Sequence, residues 1–96
     1  MARKNKPYSE LGKLLDALAR SRDVRGPYNI AYYLKDVDDY EVSGAAVSNF
    51  LYGKSRPKPA FIEAFTDAFE LTQHEQRDLA WVYTYGYQLN NLQGRA

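Results

Sequence analysis

The chain has no cysteine among its 96 residues, so neither a disulfide nor a thiolate metal site can form. It has a single histidine, His74, set among Thr72, Gln73 and Glu75, which leaves a histidine metal cluster or a serine–histidine–aspartate arrangement without support. No apolar run approaches the roughly 20 residues that cross a bilayer. The basic start, with Arg3, Lys4 and Lys6, leads into an amphipathic pattern instead of the apolar centre of a secretory signal. Charge of one sign is also scarce: 13 basic residues against 12 acidic ones give a net +1. The expectation is a soluble cytoplasmic protein of one domain, not an enzyme, with no cofactor and no metal.

What is present is helical patterning with clear punctuation. A first helix begins at Ser9, with Leu11, Leu14, Leu15 and Leu18 recurring on one stripe, and ends near Ser21. Pro27 suits the first position of a second helix, with Tyr28 and Asn29 in its first turn and Ile30, Ala31, Leu34 and Val37 as its apolar series. Ser43 caps a third, in which Val47, Phe50 and Leu51 face a core and Gly53 provides a left-handed stop. Pro59 opens a fourth helix, read with a stripe of Ile62, Phe65 and Phe69 and with Phe61 and Ala68 at its margins. Thr72-Gln73-His74-Glu75 is a capping box that starts a fifth. There Leu79, Val82, Tyr83 and Gly86 lie along one side and Trp81 and Tyr85 along another. These are more large apolar groups than one stripe needs, and some are expected to meet a partner. The fold expected is an all-α, compact five-helix bundle over residues 8–86, with a basic arm at 1–7 and a tail at 87–96 that extends the fifth helix or frays.

The third helix carries the functional signal. Its side away from Val47 and Leu51 holds Gly44, Ala45, Ser48, Asn49 and Tyr52, small residues except the last, which lets a groove wall approach the backbone. Asn49 can form the paired hydrogen bonds that suit adenine. Lys54, Arg56 and Lys58 follow with no acid among them. The order Val42, Ser43, Val47, Ser48, Gly53 and Pro57 resembles the Cro/CI family of helix-turn-helix proteins, also called the XRE family, and Ile30-Ala31-Tyr32-Tyr33-Leu34 resembles its second helix, with Ala31 as the small residue at the helix crossing. The turn between the two, Lys35 to Glu41, is about six residues longer than the family's tight form.

This resemblance implies a sequence-specific regulator of transcription, repressor-like, that binds double-stranded DNA as a homodimer. Gly44, Ala45, Ser48 and Asn49 would meet base edges, and Tyr28, Asn29, Tyr52, Lys54, Ser55, Arg56 and Lys58 would meet phosphates. Trp81, Tyr85, Leu89 and Leu92 are the dimer face expected if the fifth helix continues. Charge distribution agrees in part: Arg3, Lys4, Lys6, Lys13, Arg20, Arg22 and Arg25 cluster early, while Asp36, Asp38, Asp39 and Glu41 fall in the long turn and Glu63, Asp67, Glu70, Glu75 and Asp78 in the last two helices. The acidic turn lacks the spacing and glycine of a calcium loop and reads as solvated. Most of the tyrosines, including Tyr32, Tyr33, Tyr83 and Tyr85, read as packing groups. The alternative is a protein-interaction module, such as an antitoxin or accessory regulator, that keeps the fold without specific DNA binding.

Overall fold

The computed structural model describes residues 7–86. They form five α-helices and no strand: α1 (Glu10–Arg20), α2 (Pro27–Asp38), α3 (Gly44–Tyr52), α4 (Pro59–Ala68) and α5 (Gln73–Trp81), the last running directly into a π-helical turn (Val82–Gly86). The boundaries follow local chemistry. The Ser9 side chain accepts from the Gly12 amide, Ser43 from Ala46 and Thr72 from Glu75, whose own carboxylate reaches back to the Thr72 amide to complete the capping box. Pro27 and Pro59 each occupy a first helical position, where no amide is required. Gly53 ends α3 at φ 76°.

The core is drawn from every helix. Leu15, Ile30, Leu34, Val47, Leu51, Phe61, Phe65 and Leu79 are fully buried, and each large side chain contributes on the order of 1.5 to 3 kcal/mol of hydrophobic free energy. Phe61 lies at the centre of α4's inward face instead of its margin, and Ile62 is only partly buried. Phe61 packs against α3 and the turn before it: its ring centre lies 4.9 Å from that of Phe50, edge-on, and 6.3 Å from that of Tyr40. Tyr33 stacks on Phe69 at 4.6 Å, whereas Tyr32 stands exposed and is no packing group.

The long turn is a structured stop. Asp39 takes the left-handed conformation at φ 53°, its amide donates to the Lys35 carbonyl, and the Tyr40 amide donates to the Leu34 carbonyl. Val37, expected to extend the buried series, is exposed, because the buried row of α2 ends at Leu34 and Tyr40 supplies the next apolar contact. Lys35 neutralises two of the acids, bonding Asp39 and Glu41 at 2.9 Å each.

Candidate functional site

Contacts with neighbouring elements fix α3 at both ends. Its C-terminal end is tied to α1: the Leu51 carbonyl accepts from the Ser9 amide at 2.9 Å and from the Ser9 hydroxyl at 3.2 Å. That carbonyl belongs to the last turn, where helical partners run out, so an outside donor is needed. Gly12 makes the approach possible, since a β-carbon there would lie 1.9 Å from the Leu51 oxygen. The N-terminal end is tied to α2. Gly44 lies under the ring of Tyr28, whose Cδ2 would be 2.2 Å from a β-carbon at residue 44.

This arrangement corrects the expectation for Gly44. It is buried and covered by Tyr28, so it gives space to a side chain of its own chain and not to a base. The other three residues of the expected reading face stay together on the outer side of α3, Ala45 and Asn49 exposed and Ser48 partly so. Tyr52 is half-buried, its ring edge-on to Tyr8 at 4.9 Å. Burial raises the Tyr8 hydroxyl above the usual tyrosine range, with the neighbouring Tyr52 adding to it. Beside them is a cleft of about 470 Å³ lined by Pro7, Tyr8, Tyr52, Ser55 and Arg56, which places the entry of the chain into the fold next to the end of α3.

The loop after α3 starts with two bonds to the Asn49 carbonyl, from the Lys54 amide at 2.9 Å and the Ser55 amide at 3.4 Å. Lys54, Ser55 and Lys58 are exposed, and among the described residues neither lysine has an ion-pair partner. Arg56 is different: it donates to the Tyr83 carbonyl at 2.6 Å and its guanidinium lies 4.2 Å from the centre of the Tyr83 ring. The Tyr83 hydroxyl in turn donates to the Pro57 carbonyl at 2.7 Å. In α2, Tyr28 is exposed at 68%, while the Asn29 amide nitrogen donates to the Arg25 carbonyl at 2.8 Å and so braces the start of its own helix.

Among the described residues, Lys13, Arg20, Arg22 and Arg25 of the early basic cluster each have an acidic partner. Arg20 is bonded to Asp16 at 2.9 Å, Arg25 lies 3.3 Å from Asp23, and Lys13 is within 3.8 Å of Glu10. Arg22 is a structural staple that sequence reasoning missed. It donates to the carbonyls of Phe69 (2.8 Å) and Leu18 (3.2 Å) and forks onto Glu75. With Arg22 and the Thr72 amide both bonded to it, the Glu75 carboxyl is held at about 2, well below the usual carboxylate range. At the other end of α5, Trp81 and Tyr85 stand 55% and 49% exposed, with their rings edge-on 4.2 Å apart. The arm residues Arg3, Lys4 and Lys6 and the expected interface residues Leu89 and Leu92 lie outside the described residues.

No protein-family model matches this chain, and no curated protein or solved structure matches it either.

Proposed function

We propose that the chain is a sequence-specific DNA-binding regulator of transcription that lays α3 in the major groove of a duplex. One observation carries this reading: α3 is pinned at both ends by α1 and α2 while Ala45, Ser48 and Asn49 remain outward on a helix that leads into exposed Lys54, Ser55 and Lys58. A helix of about 10 to 12 Å diameter fits a groove about 12 Å wide, provided that its outward side chains are small, as they are here. Asn49 reads adenine, Ser48 offers a second polar contact, and Ala45 suits a thymine methyl. Lys54, Lys58 and the Ser55 hydroxyl hold phosphate, and Tyr28, at the start of α2, is placed for another. The chemistry is recognition alone. Trp81 and Tyr85 provide the face on which two copies meet, matching a two-fold symmetric site.

The exposed Trp81–Tyr85 pair, together with the acidic partners of Lys13, Arg20, Arg22 and Arg25, favours a second reading, a protein-interaction module. A gel shift on random duplexes across a salt series separates the two. Phosphate-driven binding weakens steeply with added salt, and selection of bound sequences from a random pool then yields a preferred site. A protein that shifts no duplex at low salt is the interaction module instead.

A further inference from the structure

The loop Lys54 to Lys58 is tied by its backbone at its two margins, where the Lys54 and Ser55 amides donate to the Asn49 carbonyl and the Lys58 carbonyl accepts from the Phe61 and Ile62 amides of α4. Between these margins Pro57 has no amide to donate, and the middle of the loop is held by bonds that involve side chains. The residue that makes them lies at the far end of the described chain. Tyr83, on the π-helical turn, donates its hydroxyl to Pro57 and accepts Arg56 at its carbonyl, and the Arg56 guanidinium lies over its ring. Two successive loop residues are thus held by one tyrosine through three different groups.

We propose that Tyr83 is a positioning residue for the phosphate grip: through Arg56 and Pro57 it holds Lys54, Ser55 and Lys58 in the arrangement that meets the DNA backbone, without touching DNA itself. The inference rests on the DNA-binding reading and reassigns Arg56. The planar group that the sequence offered to phosphate is committed to Tyr83. A guanidinium can lie on a ring and donate in its own plane at the same time, which an ammonium cannot reproduce.

Two variants test this. Tyr83→Phe removes only the hydroxyl, and Arg56→Lys keeps the charge but loses the fork. In the free protein, the Lys54 and Ser55 amides should exchange with solvent faster in both variants, while core amides of α4 keep their rates. Affinity for preferred and random duplexes should fall together by about three- to tenfold, the effect of one hydrogen bond. Arg56→Lys should lose as much as Arg56→Ala. Unchanged exchange in the loop, or α4 amides that accelerate equally, overturns the brace. Faster loop exchange with unaltered duplex affinity overturns the positioning role, and an Arg56→Lys protein that binds like the parent makes Arg56 a simple charge. A parent protein that binds no duplex overturns the function itself, a result distinguishable from the others because exchange is read without DNA.

Discussion

Gly12 and Leu51 approach so closely that the α-carbon of one helix sits against the last turn of another, with room for no atom beyond hydrogen between Gly12 and the Leu51 carbonyl. In an ordinary helix a glycine-to-alanine change gains up to about 1 kcal/mol from propensity. Here Gly12→Ala should instead destabilise by about 1 to 3 kcal/mol or more, because the added methyl must push α1 off α3 and stretch both Ser9 bonds to Leu51. Urea unfolding measures it. A neutral or stabilising outcome would mean that the crossing is looser than the geometry requires.

Gly44 and Tyr28 form a second such pair, in which the partner is an exposed side chain instead of backbone. Gly44→Ala should lower stability, since the new methyl displaces the Tyr28 ring. With Tyr28→Ala already in place the same change should cost less, because the three atoms nearest the added methyl all belong to that ring. The coupling expected from the double-mutant cycle is about 0.5 to 3 kcal/mol. Strict additivity would break the link between the two residues.

Asn49→Ala should flatten preference at one or two base pairs, with a loss of about 1 to 3 kcal/mol at the preferred site and no change in folding. Lys54→Ala should weaken binding to every duplex alike and make the logarithmic salt slope shallower by about one unit. Parallel titrations of preferred and random duplexes distinguish them. Exchange of these two signatures would reverse the division between base reading and phosphate holding.

Replacing both Trp81 and Tyr85 with alanine should leave a folded monomer that binds a palindromic site much more weakly than the parent. The reason is spacing: two recognition helices on a palindrome must sit about 34 Å apart, which a shared face fixes. Sedimentation velocity with and without duplex reads the state directly. A parent protein that is monomeric on its preferred duplex removes the face from dimerisation.

Glu75 makes stability depend on acid. Its folded value, about 2, lies below the unfolded 4.5, so its contribution is complete above about pH 4.5 and is lost as the pH falls toward 2. Thermal melts of Glu75→Gln should show a lower melting temperature at neutral pH and a shallower fall across that acid window. Parallel curves for variant and parent would place the acid sensitivity elsewhere.

The sequence made legible whatever depends on residues three or four apart. Ser9, Ser43, Thr72, Pro27, Pro59 and Gly53 all act within one helical turn, and each sits at the helix end where it is expected. Contacts between distant segments were not legible. Gly12 carries no signal in the sequence, and its role comes only from Leu51 being brought against it. Gly44 reads as part of the outward face because only the fold places Tyr28 above it. Arg22 and Arg56 read as free charge, yet each donates to a carbonyl far along the chain, that of Phe69 or Tyr83. The outward side of α3 was legible in part, since helical spacing places Ala45, Ser48 and Asn49 together whatever lies around them.

The π-helical turn ends beside the beginning of α1: a β-carbon at Gly86 would lie 3.7 Å from that of Glu10. The described fold therefore closes on itself like a ring with a narrow gap. A circular permutant that joins residue 86 to residue 7 through a few glycines, and opens the chain at the exposed residues near Glu41, should preserve all five helices. In such a permutant α3 would come first in the chain, and α2, which covers its start, would come last.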